Sequence, residues 1–180
     1  IRPQTDAHRD FRGYAGRIAS GVWKPGDKVV ALPSGKESTI DQILVGDSPL
    51  EKAFPPLSVT MTLTDDIDLS RGDMLVRANN QPESTQTLDA RICWLSEAPL
   101  NPATRYVLRH TTRDVQAKIT EVLYRIDINT LHRVEDDVII GVNDMARVRI
   151  KTASPLLTDG YKDNRSTGSF ILVDPSTHLT

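Results

Sequence analysis

The clearest pattern in the chain is an alternation of polar and apolar residues with a period of two. Residues Ser58–Thr64 alternate without interruption, and Met145–Lys151 do the same. In a β-strand this period directs successive side chains to opposite faces, one toward a core and one toward water. Both segments are therefore predicted to be half-buried β-strands.

Further short strands are predicted between segments rich in Gly, Pro, Asp and Ser, which favour turns. They are Lys28–Leu32, Glu37–Leu44, Met74–Arg77, Leu88–Leu95, Arg105–His110, Val115–Ile128, Asp137–Val142, Met145–Thr152 and Gly168–Val173. No window of about eleven residues keeps a helical period without interruption. Helix is therefore expected only as one turn near Pro49–Ala53, and the spacing of the strands predicts barrels or sandwiches.

The chain has 180 residues, enough for one domain or two small ones. The segment Ala78–Gln86 is polar and contains a proline, which favours a linker. The predicted fold is therefore all-β, with two β domains, each a barrel or a sandwich, at residues 1–80 and 86–180.

Charge and hydrophobicity exclude several classes of partner. The chain has 22 Lys and Arg against 24 Asp and Glu, a net charge of -2. Binding to nucleic acid or to a membrane surface without specificity requires an excess of positive charge. With 38% hydrophobic residues the chain has no apolar run long enough to span a membrane. We therefore predict neither a nucleic-acid nor a membrane partner.

Cysteine, histidine and serine give no support to a catalytic or metal site. Cys93 is the single cysteine, and its neighbours Ile92 and Trp94 predict that Cys93 and Trp94 are core residues in a reducing compartment. The four histidines lack a second ligand at metal-binding spacing, so no metal is expected and His110 and His132 are predicted to be structural. No serine lies in a nucleophile elbow, so no catalytic residue is assigned.

One segment has the glycine spacing of a nucleotide-binding P-loop. Residues Gly21–Gly26 match that spacing, but Asp27 follows where the motif requires lysine. A carboxylate there would repel a phosphate, and Pro25 removes an amide donor. The segment is therefore predicted to be a turn with Trp23 beside it and Gly26 at a positive φ, and no cofactor site is expected.

The order of several motifs resembles the second domain of elongation factor Tu-type GTPases, through Gly13–Gly21, Val22–Leu32 and Leu69–Leu75. More specific segments resemble the large, GTP-binding subunit of bacterial sulfate adenylyltransferase. They are Asp10–Gly16, Leu32–Lys36, Asp66–Asp73, Arg125–Leu131, Asp159–Tyr161 and Asn164–Ile171. This resemblance covers nearly the whole chain.

The resemblance implies the two barrels that follow the GTPase domain in such proteins, of the translation-factor domain 2 and domain 3 type. It places a GTPase domain before Ile1, with GTP and Mg²⁺ belonging to that domain and no cofactor in the present chain. The implied partners are that GTPase domain and the smaller catalytic subunit. The implied activity is GTP-driven synthesis of adenosine 5′-phosphosulfate in the cytoplasm, with the present chain inactive alone. The chain is also expected to stop one strand short, which leaves the second barrel open beside Phe170–Val173.

Four residues are candidates for contact with a partner. Arg12 and Arg17 flank the first strand, and Asn164 and Arg165 lie in a polar loop beside a glycine. Arginine favours interfaces because its planar group pairs with carboxylates through two hydrogen bonds. The alternative for each arginine is a solvated loop position.

Two other functions are compatible with β-barrels of this size. The barrels could bind tRNA as part of a translation-factor GTPase, although the near-neutral charge and the segments Leu32–Lys36 and Asp159–Tyr161 argue against it. A stand-alone ligand-binding β-protein is the third hypothesis.

Overall fold

The computed structural model describes residues 11–136 and 139–180, and all regular secondary structure in these ranges is β-strand. The strands are β1 (Tyr14–Arg17), β2 (Lys28–Leu32), β3 (Lys36–Val45), β4 (Ser48–Pro49), β5 (Ser58–Leu63), β6 (Met74–Val76), β7 (Glu83–Cys93), β8 (Arg105–His110), β9 (Arg113–Ile126), β10 (Arg133–Val134), β11 (Met145–Thr158) and β12 (Ile171–Val173). The all-β prediction is confirmed.

The chain divides into two compact units. The first runs to Pro82 and includes the loop Gly160–Ser166, and the second comprises Glu83–Asp159 and Thr167–Thr180. In the first unit the strand order is β1-β5-β3-β2-β6, with β4 paired to β3, and all pairs are antiparallel. Its buried core consists of Ile18, Val29, Ile40, Ile43, Ala53, Val59 and Met61.

The second unit contains a larger antiparallel sheet in the order β12-β8-β9-β11-β7, with β10 paired to β9. Among the described strands, β12 and β7 lie at its two edges. Its core consists of Trp94, Leu100, Tyr106, Leu108, Val115, Ala117, Ile119, Ile140, Ala146, Val148, Ile150 and Leu156. The alternation of Met145–Lys151 explains which residues of β11 enter this core. The even-numbered residues are buried, and the odd-numbered residues face outward.

Several predicted strands have the bounds that the pattern gave, including Lys28–Leu32 and Arg105–His110. The polar segment predicted as a linker is shorter than expected, because β7 begins at Glu83. Residues Glu83 to Thr85 pair with Thr158 to Leu156 of β11. A polar sequence can thus form part of a strand when a neighbouring strand provides partners for its backbone hydrogen bonds.

Two predicted elements are wrong. No helical turn forms at Pro49–Ala53, because Ser48–Pro49 pairs with β3 and Ala53 forms a bridge with Trp23. The predicted strand Asp137–Val142 is absent from its described residues, 139–142; residues 137 and 138 lie outside the described part. There Ile140 is buried, and its carbonyl accepts the Leu100 amide at 2.9 Å. Its apolar character therefore reflects a buried loop.

The prediction for Cys93 is also wrong, because its side chain is exposed. The neighbouring Trp94 takes the inward position, and alternation along the strand directs Cys93 outward. The core position of Trp94 is confirmed: its ring nitrogen donates to the Ala98 carbonyl at 2.7 Å, and its ring meets Tyr106 edge-on at 5.8 Å. His110 is buried and hydrogen-bonded, with Nε2 at 2.7 Å from the Thr167 carbonyl oxygen.

The described part of the chain contains no helix that is long and apolar enough to cross a bilayer.

Candidate functional site

Arg12 lies just before β1 and is already engaged within its own unit. It forms ion pairs with Asp66 and Asp68, the latter at 2.8 Å from Nη2, and its guanidinium lies 5.5 Å from the Tyr14 ring centre. The Tyr14 hydroxyl donates to the Ile67 carbonyl at 2.5 Å. These contacts fasten the segment 66–68 to the first strand. Any partner of Arg12 must compete with two carboxylates for its donors.

Arg17 occupies the last position of β1 and its side chain is exposed. Its strand partner is Ser58, while the next residue, Ile18, is buried in the core. Within the described part of the chain, Arg17 has no carboxylate partner. Contact of Arg17 with a partner stays a prediction.

Asn164 and Arg165 lie together in the loop Gly160–Ser166 and have different roles. The Asn164 amide donates to the Gly160 carbonyl at 3.0 Å, and its Oδ1 accepts the Ser166 amide at 3.1 Å. Asn164 thus shapes the loop. Arg165 places its guanidinium 5.8 Å from the centre of the exposed Tyr161 ring. The loop presents an arginine–tyrosine pair, and it belongs to the same compact unit as Arg12 and Arg17.

An open depression of about 520 Å³ adjoins Arg12 and is lined by several carboxylates. Asp65 accepts the Ser38 hydroxyl at 2.8 Å, and Asp41 accepts the Thr62 hydroxyl at 3.0 Å. Negative charge at such a wall repels phosphate, so the depression is poorly suited to a nucleotide. Among the residues that the structure covers, no three His, Cys, Asp or Glu side chains converge in a way that could hold a metal.

The segment with P-loop spacing is a turn, as predicted. Gly26 has a φ of 88°, and the Asp27 amide donates to the Lys24 carbonyl at 3.1 Å. The Asp27 carboxylate accepts the Lys24 amide at 3.0 Å and pairs with Arg77 at 2.9 Å. Arg77 also lies 5.0 Å from the centre of the Trp23 ring, which confirms that Trp23 lies beside a turn.

The sequence analysis did not identify a cluster of arginines around Tyr124 on the outer face of the second sheet. Arg147 of β11 pairs in register with Arg91 of β7 on one side and with Tyr124 of β9 on the other. Arg133 lies 4.7 Å from the Tyr124 ring centre. The alternation of Met145–Lys151 predicted outward cations on β11. It could not reveal the strands beside them.

The electrostatics of this cluster are set by guanidinium groups. The Tyr124 hydroxyl is buried and makes no well-formed hydrogen bond. Its pKa is lowered, first because Arg147 directs a donor toward the phenol oxygen, and further by the charges of Arg133 and Arg91, against the opposing effect of burial. Arg147 itself binds Asp89 through two hydrogen bonds of 2.6 and 2.9 Å, which raise the pKa of its guanidinium.

Comparison with known proteins identifies the protein family to which the chain belongs. Residues 87–180 match the family described as GTP-eEF1A C-terminal domain-like, and the chain belongs to this family. In solved structures, Sup35 complexed with GDP superposes with a TM-score of 0.80 at 18% identity, over 93% of this chain and 43% of that one. This likeness confirms the predicted fold class, two tandem all-β units of the translation-factor type.

Two curated relatives narrow the resemblance. The bifunctional enzyme CysN/CysC of Mycobacterium tuberculosis is 50% identical over 181 residues, which cover 100% of this chain and 30% of that protein. Sulfate adenylyltransferase subunit 1 of Bacteroides fragilis is 43% identical over 171 residues, covering 95% of this chain and 36% of that protein. The chain thus spans about a third of the length of these relatives. The predicted resemblance to the large subunit of sulfate adenylyltransferase is confirmed.

Proposed function

We propose that this chain is the two-barrel region of the GTP-binding subunit of a sulfate adenylyltransferase. The observation that carries the proposal is the 50% identity to CysN/CysC over the whole chain, against 18% to the translation factor Sup35. The proposed barrels are residues 1–80 and 86–180, and the proposed location is the cytoplasm. The degree of identity also favours this function over tRNA binding.

The proposed reaction transfers the adenylyl group of ATP to sulfate and releases pyrophosphate, which yields adenosine 5′-phosphosulfate. The smaller catalytic subunit carries out this chemistry, and GTP with Mg²⁺ is held by a GTPase domain preceding the barrels. The barrels hold the partner and transmit the state of the nucleotide. When two surfaces repack, the free energy of repacking couples the two sites that they connect.

Three of the candidate contact residues have side chains suited to that role, and one has a supporting role. Arg17 and the pair of Arg165 with Tyr161 are exposed, so they can meet a partner directly. Arg12 can do so only by exchanging Asp66 or Asp68 for a partner carboxylate. Asn164 positions the loop through its amide contacts. When a residue exchanges one contact for another in this way, the exchange can couple the binding of a partner to a change of conformation.

The test uses the full-length subunit that contains this chain, together with the smaller catalytic subunit. We expect the two to co-purify, and we expect pyrophosphate release from ATP and sulfate to increase when GTP is added. The chain of 180 residues alone should give no heat with GTP and magnesium in calorimetry and no pyrophosphate release. A full-length subunit that binds tRNA and neither binds nor activates the smaller subunit would refute the proposal.

A further inference from the structure

The outer face of the second sheet carries cationic and apolar side chains in adjoining rows. Two rows of residues pair across the strands: Arg91, Arg147 and Tyr124 in one, and Cys93, Met145, Ile126 and Arg133 in the next. Residues paired in an antiparallel ladder share a face of the sheet. We call this surface the Arg91–Arg133 face.

Tyr124 is an unusual member of this face, because it is 6% exposed and yet lies outside the hydrophobic core of its unit. Arginines take the place of core residues around it: Arg133 stacks on the ring and Arg147 approaches the hydroxyl. A guanidinium over an aromatic ring is attracted by the ring's negative face. The tyrosine therefore holds cations in place before any partner arrives.

The arginines of this sheet differ in whether a carboxylate balances them. Arginines elsewhere in the unit have such partners, at Arg109–Asp114, Arg125–Asp144, Arg147–Asp89 and Arg149–Glu121. Arg91 and Arg133 are exposed, and neither has a carboxylate partner among the residues that the structure describes. Among the described residues these two guanidiniums therefore lack a neutralising carboxylate, although the whole chain has a net charge of -2.

Apolar side chains collect at the end of the sheet where these rows lie. Of the twelve large hydrophobic residues that are exposed in the described part of the chain, six belong to the segments that meet there: Leu95, Ile128, Leu131, Ile139, Val142 and Met145. The Trp94 amide donates to the Asp144 carbonyl at 2.9 Å, which joins the segment of Leu95 to that of Met145. The Asp127 amide donates to the His132 carbonyl at 3.0 Å, which closes the turn that carries Ile128 and Leu131. Contiguous patches of exposed apolar residues are typical of interaction sites.

We propose that the Arg91–Arg133 face docks a protein segment that carries both carboxylates and apolar side chains, and that this segment belongs to the smaller catalytic subunit. The identity of the partner rests on the proposed function. Arginine, tyrosine and methionine are enriched at protein interfaces, and unbalanced guanidiniums select carboxylates. The apolar residues beside them disfavour a nucleic-acid backbone, which offers phosphates without an apolar surface to cover them.

The test compares two double charge reversals in the full-length subunit. Arg91→Glu with Arg133→Glu changes the proposed face. Arg105→Glu with Lys118→Glu is the matched control, because these exposed cations pair on β8 and β9 far along the sheet from Tyr124 and give the same change of charge. Binding to the smaller subunit is measured by calorimetry at low and at high salt.

We expect the reversal at the face to weaken binding by at least about tenfold and to reduce its salt dependence, and the control to change affinity by less than about twofold. Leu131→Asp, which leaves every arginine in place, should also weaken binding. Thermal unfolding shows whether each variant is folded, and Arg91→Gln with Arg133→Gln replaces the reversal if it is not.

The outcomes separate the two proposals. If the unaltered full-length subunit binds the smaller subunit and all folded variants bind it equally well, the proposed docking face is wrong and the proposed function stands. If the parent does not bind the smaller subunit, both are overturned. Equal weakening by the face and control reversals would show a general charge effect and would also overturn the proposed face.

Discussion

Each unit places an arginine over a tyrosine of one of its strands, and these two strand tyrosines differ in how completely their polar groups are satisfied. In the first unit Arg12 covers Tyr14, two carboxylates neutralise the arginine, and the phenol donates to the Ile67 carbonyl. In the second unit Arg133 covers Tyr124, whose buried hydroxyl makes no well-formed hydrogen bond. The first pair fastens a turn to its own sheet. In the second pair, no carboxylate of the described residues neutralises the arginine.

The comparison shows why residue type alone is a weak guide to an interface. Arg12 was predicted to contact a partner, yet its donors are engaged within the unit. Arg91 and Arg133 were not singled out, yet within the described residues they have no carboxylate to neutralise them. What distinguishes the two cases is the set of groups that the fold brings to each guanidinium.

The largest expected effect concerns the two tryptophans, one in each unit. Trp94→Ala should lower the free energy of unfolding by roughly 3 kcal/mol or more, because it leaves a cavity in the second core. Trp23→Ala should cost about 1 to 2 kcal/mol, because Trp23 is half-buried at the rim of the first core. Denaturant unfolding measures both. Equal losses would contradict the different positions of the two rings.

The next prediction concerns the two tyrosine hydroxyls. Tyr14→Phe should destabilise the protein by about 1 kcal/mol, because it removes a hydrogen bond and leaves the Ile67 carbonyl without its donor. Tyr124→Phe should be neutral or slightly stabilising, because it removes a buried hydroxyl with no well-formed hydrogen bond. Unfolding by urea compares them directly. A larger loss for Tyr124→Phe than for Tyr14→Phe would reverse the comparison.

Much of the fold could be predicted from local sequence, whereas the cluster at Tyr124 could not. Alternation within Met145–Lys151 fixes which residues face the core, and turn residues bound Lys28–Leu32. The strand residues Glu83–Thr85 were missed because the residues that pair with them lie in β11, far along the sequence. Buried Ile140 was taken for a strand because burial and strand formation produce similar apolar runs.

The contacts at Tyr124 depend on strand order and register. Arg91, Tyr124 and Arg147 are far apart in the sequence and meet only because β11 lies between β7 and β9. A shift of one residue in register would move each of them to the other face. Single-sequence patterns carry little information on which strands pair. The sequence could therefore predict outward cations, but not the ring beneath them.

A smaller effect is expected on the pH dependence of the free energy of unfolding, through the ion pair of Asp89 with Arg147. The hydrogen bonds from Arg147 lower the pKa of Asp89 below 3.8 in the folded state. A lowered folded pKa gives stability that is present above the unfolded pKa and lost as the pH falls through the folded value. Asp89→Asn should therefore cost about 0 to 1 kcal/mol at neutral pH and nothing in strong acid. Unfolding measured across pH tests this, and a loss that persists below the folded pKa would contradict it.

The smallest expected effect is a lowered titration of Tyr124. Arg147, with Arg133 and Arg91, lowers the pKa of Tyr124, so its phenolate should form at lower pH than 10, the ordinary value. Absorbance at the wavelength of the phenolate should show one early step in the folded protein. Tyr124→Phe should remove that step. Arg147→Gln should raise the pKa again, because it removes the main donor to the phenol. If the early step survives in Tyr124→Phe, the guanidiniums do not control the charge of this tyrosine, and the contrast between the two units loses its electrostatic basis.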